Sequence, residues 1–196
     1  MKRNQDIYNL PNLVSLIRVL LAPVLLALAI AQQPMLFLAT LIFTVFTDVL
    51  DGFLARYLNQ ITELGSRLDS WGDFIVYSTM AVSAWVLWPD IVIRELPYFI
   101  TIIVSFTLPV LVGLIKFKSL TSYHTWTVKL AVATTMVSYV LLFADILTWP
   151  FILAALLSAL AAVEEIAITL IMKQQHVDVR NVWQAIKFNQ RDRINE

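Results

Sequence analysis

The chain has 196 residues, of which 59% are hydrophobic and 14% charged, with a mean hydropathy of +0.76 and a formal net charge of zero. A soluble domain of this length has no core large enough to hide that much apolar side chain, so a soluble fold is excluded. The neutral balance argues against nucleic acid as a partner, and the absence of cysteine removes disulfides, thiolate chemistry and cysteine metal sites.

Residues 1–11 read as an N-terminal interfacial segment in which Ile7 and Leu10, with Leu13 beyond, are loosely amphipathic. The first stretch also imitates a secretory signal, with Lys2-Arg3, an apolar region and a cleavage-like Ala29-Ile30-Ala31. Arg18 and Pro23 interrupt that apolar region, and its retention as a first span is expected. Apolar runs follow at Asn12–Ala31, Pro34–Tyr57, Trp71–Trp88, Ile91–Ile115, Val128–Thr148 and Pro150–Met172. Each is near the roughly 20 residues that a helix needs to cross the hydrocarbon, and too long for barrel strands. The expected architecture is therefore an all-α integral membrane protein of six transmembrane helices, forming a single domain over 1–196.

Lys2, Arg3, Arg56, Arg67, Lys116, Lys118, Lys173, Arg180 and Lys187 flank one set of span ends. The opposite connections, Gln32–Pro34, Trp88–Asp90 and Asp145–Pro150, hold no Lys or Arg. The positive-inside rule then places both termini in the cytoplasm, with Trp88, Tyr98, Trp126 and Trp149 as interfacial aromatics. The expected location is a bacterial-type inner or cell membrane. Residues 174–196 form a charged cytoplasmic tail. There Val177, Val179, Val182, Trp183 and Ile186 either pack on the membrane surface or belong to a solvated, partly disordered segment.

The stretch from Phe46 to Phe74 breaks the apolar pattern with four aspartates. Asp48 and Asp51 are three apart and Ala55 follows four later, so these positions share one helical face. Asp69 and Asp73, four apart, share a face of the next helix. A turn between Tyr57 and Gly65 makes the two helices antiparallel neighbours, bringing the carboxylates together near the cytoplasmic edge. Carboxylates so placed repel one another in a poorly screened setting. Arg56 and Arg67 offset part of the charge, while Glu63 adds to it. Proton sharing is one escape; hard divalent cations, which favour oxygen ligands, are the other. A two-metal cluster neutralises all four and clamps a phosphate, so charge balance favours metals. Three of the four glycines, Gly52, Gly65 and Gly72, also fall here. A glycine lets a ligand approach the backbone, although small residues also serve tight helix packing in lipid.

The pattern Asp48-x-x-Asp51-Gly52-x-x-Ala55-Arg56, then Gly65-x-x-x-Asp69-x-x-x-Asp73, resembles the signature of the CDP-alcohol phosphatidyltransferases at all its fixed positions. Asn9–Pro23, "NLPNLVSLIRVLLAP", is similar to the N-terminus of the phosphatidylglycerophosphate and cardiolipin synthase branch. The resemblance implies a homodimeric membrane enzyme that moves a phosphatidyl group from CDP-diacylglycerol to a small or lipid alcohol, at a site facing the cytoplasm, with release of CMP. It implies two divalent cations, Mg2+ or Mn2+, held by Asp48, Asp51, Asp69 and Asp73. It places Gly52, Ala55, Arg56 and Gly65 at the CDP substrate and makes Asp73 the base for the acceptor hydroxyl. Arg18, Arg67, Lys116, Lys118 and Lys129 are the candidate contacts of an acceptor phosphate, each weighed against a role as snorkelling or topology anchor.

Glycerol 3-phosphate is the expected acceptor on the N-terminal resemblance, with phosphatidylglycerol as the alternative. Glycerophosphate-using relatives carry an Arg-Glu-Phe segment near the cytoplasmic side of the fourth span. Arg94-Glu95-Leu96 stands near the outer end instead, which counts against glycerol 3-phosphate and leaves the reaction class untouched. Glu164 and Glu165, costly inside a span, are expected to have a role, with Lys129 or Arg18 as partner. His124 reads as an exposed loop residue. A divalent-cation transporter would carry acids at matching depth in several helices, and a membrane prenyltransferase would need aspartate motifs in two halves; one cluster on two consecutive helices fits neither.

Overall fold

The computed structural model describes residues 10–57, 63–118, 123, 125–172, 179 and 181–187, and for 10–16, 18, 48–57, 63–71 and 73 it describes the backbone alone. All regular structure among the described residues is helical. The helices are α1 (Leu10–Ile30), α2 (Pro34–Tyr57), α3 (Glu63–Leu87), α4 (Pro89–Arg94), α5 (Leu96–Phe117), α6 (Trp126–Phe143) and α7 (Trp149–Ile171), followed by a short helix α8 over 182–187. The chain divides into two compact units, Met1–Ile93 and Arg94–Glu196.

In the first unit α1 packs against both α2 and α3. The α1–α2 turn is tight: Gln33 N–H bonds to the Leu28 carbonyl at 3.0 Å, and Gln32 takes a left-handed φ of 54°. The Gln32 amide then donates to the Val86 carbonyl at 3.3 Å, and the Phe37 and Trp88 rings meet edge to face at 5.9 Å. These contacts set the end of α3 beside the start of α2, so the two helices run antiparallel. Buried positions form one stripe per helix: Ala22, Leu25 and Ala29 on α1; Phe37, Leu41, Thr44 and Thr47 on α2; Gly72, Val76, Met80 and Ser83 on α3. Leu20, Val24, Met35, Ile42, Phe43, Phe46, Val82 and Trp85 face outward. The stripes mix large apolar residues such as Leu25, Phe37 and Leu41 with small and hydroxylic ones, and the small ones permit the close backbone approach that helix packing in lipid uses. The Thr44 and Thr47 hydroxyls are satisfied within their own helix, on the carbonyls of Thr40 and Thr44 at 2.8 and 2.7 Å.

In the second unit α7 packs against α5 and α6. Ala154, Ala155, Ser158, Ala161 and Ala162 line its buried side and permit that approach. Phe99 stacks at 4.7 Å on Phe151 and at 5.9 Å on Phe143, closing one end. At the other end Tyr123, Ile168, Met172, Val179 and Ala185 form a buried cluster, flanked by Phe117 and Val182.

Leu96–Phe117, Trp126–Phe143 and Trp149–Ile171 are each long and apolar enough to cross a membrane, while Val19–Ile30, Pro34–Thr47 and Phe74–Leu87 are shorter apolar stretches. The second run, Pro34–Tyr57, coincides with α2. The fourth differs from Ile91–Ile115, because Pro97 at the start of α5 opens a new helix and leaves Pro89–Arg94 as a separate turn. The fifth stops at Phe143 rather than Thr148, where Asp145 turns left-handed at φ 56°.

Candidate active site

The antiparallel arrangement of α2 and α3 decides where the four aspartate positions fall. Taking the Phe37–Trp88 ring contact as a common level, a rise of 1.5 Å per residue puts Asp51 about 21 Å along α2 and Asp73 about 22 Å back along α3. Asp48 and Asp69 lie about 16 and about 28 Å from the same level, so the four positions bracket one end of the unit.

Rotation points the same way. At about 100° per residue, Asp48, Asp51 and Ala55 continue the Phe37–Leu41–Thr44 stripe of α2, and Gly52 lies at its edge. On α3, Gly65, Asp69 and Asp73 fall on the stripe of Gly72, Val76 and Met80. Both sets of positions thus extend the packed sides of their helices. Arg56 flanks the α2 stripe, and Arg67 falls on the opposite side of α3 from the aspartates. Arg18 continues the α1 stripe one turn before Ala22. Counted from the Ala31–Gln33 turn, it stands about 20 Å along α1, against about 22 Å for Asp48 along α2. Both helices pack on α1, and carboxylate oxygens are the ligand type that suits hard divalent cations. No cluster of three metal-ligating side chains occurs among residues whose side chains are described, a set that excludes these aspartates.

The lysine candidates belong to the second unit, where Lys116 and Lys129 have local side-chain partners. Lys116 donates to the Leu170 carbonyl at 2.8 Å, tying the end of α5 to the end of α7, where helix carbonyls lack partners. Lys118 is the left-handed C-cap of α5 at φ 55°. The Lys129 ammonium lies 5.3 Å from the Trp126 ring centre. At the other end of α5, Arg94 and Glu95 pair with each other at 2.9 Å, Arg94 closing α4 and Glu95 capping α5.

Glu164 and Glu165 do not pair with Lys129. Glu164 accepts from the Thr127 hydroxyl, and Glu165 accepts from the Tyr123 backbone N–H. The Thr169 hydroxyl donates to the Glu165 carbonyl oxygen at 2.9 Å and lies 3.3 Å from the Tyr123 hydroxyl. The two acids therefore fasten the segment that leads into α6, itself capped by Thr125, whose side chain accepts from Val128 N–H. Burial raises the Tyr123 phenol above its ordinary value, the Thr169 hydroxyl partly offsets this, and the Glu165 charge adds to the rise. Sequence reading missed these partners because one is a backbone amide and the other a hydroxyl, and neither advertises itself as a counter-ion. His124 lies outside the described residues.

The chain belongs to the CDP-alcohol phosphatidyltransferase family, whose sequence profile matches residues 8–172. It is similar to a CDP-diacylglycerol–glycerol-3-phosphate 3-phosphatidyltransferase of Aquifex aeolicus, at 42% identity over 33% of this chain and 36% of that protein. A human cardiolipin synthase (CMP-forming) is 38% identical over 47% of this chain and 31% of its own length. A second glycerol-3-phosphate 3-phosphatidyltransferase, from Salmonella choleraesuis, is 37% identical over 38% of this chain and 43% of its own. The aligned segments thus span less than half of each of these relatives. No solved structure matches the chain.

Proposed function

We propose that the protein transfers a phosphatidyl group from CDP-diacylglycerol to an alcohol and releases CMP. The observation that carries this reading is the coincidence of level and face that brings the Asp48/Asp51 and Asp69/Asp73 positions to one end of one unit. Family membership supports the same chemistry. In this reading Asp48, Asp51, Asp69 and Asp73 hold two divalent cations, Mg2+ or Mn2+, which when bound neutralise the pyrophosphate and the departing CMP. Gly52 and Ala55 leave room beside the carboxylates for the nucleotide to approach α2, Arg56 flanks it, and Gly65 does the same on α3. Asp73 takes the proton of the acceptor hydroxyl as its oxygen bonds to the diacylglycerol-side phosphorus. The bond from that phosphorus to the CMP oxygen breaks, and CMP leaves with the electron pair. Because the proton moves as the new bond forms, a carboxylate of low basicity suffices. Arg18, on the packed stripe of α1 and level with Asp48, is the preferred cation for an acceptor phosphate over Arg67, which falls on the far side of α3.

The acceptor in this proposal is glycerol 3-phosphate, supported by the Asn9–Pro23 resemblance and by the two relatives named for that substrate. A phosphatidylglycerol acceptor is the second reading, supported by the cardiolipin synthase relative and by the place of Arg94-Glu95-Leu96. The surrounding proposal is a single six-span domain in a cell membrane, with both termini and the site on the cytoplasmic side, working as a homodimer. Purified protein incubated with CDP-diacylglycerol, Mn2+ or Mg2+ and a panel of labelled alcohols tests it. CMP release is expected with glycerol 3-phosphate; release only with phosphatidylglycerol selects the second reading. If no alcohol gives CMP above a metal-free control, the transferase proposal falls.

A further inference from the structure

Beyond α7, Val179 and residues 181–187 pack on the protein. Val179 and Ala185 are both 0% exposed and pack with Tyr123, Ile168 and Met172 at the last turn of α7. α8 is started by Asn181, whose side chain accepts from Gln184 N–H at 2.9 Å, an N-cap that orients the helix. One face of α8, Val182 and Ala185, is thereby committed to the bundle end. The other face carries Trp183, 75% exposed, and Lys187, four residues on and also exposed. Trp126, three residues after the buried Tyr123, is likewise 75% exposed.

Depth identifies what meets this outward face. At 1.5 Å per residue the 23-residue α7 is about 34 Å long, close to the roughly 30 Å of hydrocarbon that a span must cross. Ile168 and Met172 then sit at the bilayer boundary, and a helix packed on them lies in the headgroup layer. The exposed lysines at this end of the unit, Lys116, Lys118, Lys129 and Lys187, complement anionic headgroups. A tryptophan with an apolar body and a polar N–H is the side chain suited to that boundary.

We propose that Val179 and residues 181–187 form a two-faced cap: its inner face is glued to the ends of α5 and α7 and to Tyr123 before α6, and its outer face, through Trp183 and Lys187, binds the headgroup layer of the bilayer that the chain spans, with preference for anionic lipid. The cap lies beyond residues 8–172, the part shared with the family, and the inference rests on the membrane-spanning reading of α5–α7. The test uses the absence of cysteine, so that one introduced thiol carries one spin label. Trp183→Cys and, separately, Val104→Cys on the outward side of α5 are labelled in full-length protein in phosphatidylcholine vesicles, with and without an anionic phospholipid. The label at 104 is expected deep, reached by oxygen and shielded from a water-soluble nickel chelate. The label at 183 is expected at the boundary, with oxygen favoured over nickel and the shift enlarged by anionic lipid. A deep label at 104 with free nickel access at 183 overturns the cap proposal alone. An aqueous label at 104 overturns the spanning reading beneath it. Spin–spin broadening at 183 assigns the face to a second copy and also overturns the proposal. Should Trp183→Cys fail to insert, Lys187→Cys reports the same face with the same outcomes.

Discussion

The first unit carries two pairs of acids on two apolar helices and the second unit one, and the pairs differ in spacing. Asp69 and Asp73 are one helical turn apart, so their positions stack on one side of α3, and Asp48 and Asp51 do the same on α2. The four positions thereby fall toward one end of the unit, and in the proposed reading divalent cations are their partners. Glu164 and Glu165 are adjacent, and adjacent residues point about 100° apart on a helix. They meet different neighbours, Thr127 on one side and the Tyr123 N–H on the other, and the protein itself satisfies each. Acids a turn apart share a face, as the proposed site requires, and the adjacent acids here tie segments together.

The contrast is broken most directly by exchanging aspartate for asparagine in the first unit. Asp73→Asn is expected to lower CMP release about 10³-fold, within the range for losing a general base, while CDP-lipid binding and thermal stability stay near those of the parent. Loss of folding instead would give Asp73 the kind of role assigned to Glu165. Chelation with EDTA is expected to abolish CMP release reversibly, with Mn2+ or Mg2+ restoring it, and to leave the second unit's network untouched. An enzyme indifferent to chelation would sink the metal assignment.

In the second unit Glu165→Ala strands the Tyr123 N–H. It is expected to cost about 1–3 kcal/mol of stability, the usual penalty for a buried donor left without a partner, with a smaller loss for Glu165→Gln, which keeps an acceptor. Thermal unfolding in detergent measures both; equal losses would mean that charge, not the hydrogen bond, matters there. The smallest effect concerns pH. With the folded Tyr123 phenol raised above its ordinary 10.0, the unfolded chain loses the proton first. Stability from this group is complete below 10.0 and declines as pH climbs toward the folded value. Tyr123→Phe should remove that alkaline decline, read as melting temperature against pH. An unchanged profile would show that Tyr123 does not drive it.

Much of the candidate site was legible because helical periodicity is a local property. Spacings of three and four put Asp48 with Asp51 and Asp69 with Asp73 on shared faces whatever surrounds them. The same holds for α2, whose bounds Pro34–Tyr57 follow from an apolar run between a proline and a polar turn. The break before α5 was harder to place, because Pro97 both tolerates a helix start and forbids its extension backwards, and hydropathy alone does not locate that boundary. The burial of Val179 and Ala185 was not legible for another reason. Val179 and Ala185 look like any scattered apolar residues in a charged segment, and nothing local says whether lipid, water or protein will cover them.

By itself, then, the sequence determined the helical membrane class, the faces carrying the four aspartates and the family to which they belong, since composition and residue spacing act along the chain. Only the tertiary structure decided that the Asp51 and Asp73 positions share a level, that the Arg18 position rather than that of Arg67 continues a packed stripe, that Glu164 and Glu165 fasten a loop, and that Val179 and Ala185 are buried against the end of α7. Each of these depends on which helix lies beside which and at what height, and so on contacts between residues far apart in the chain that no local pattern encodes.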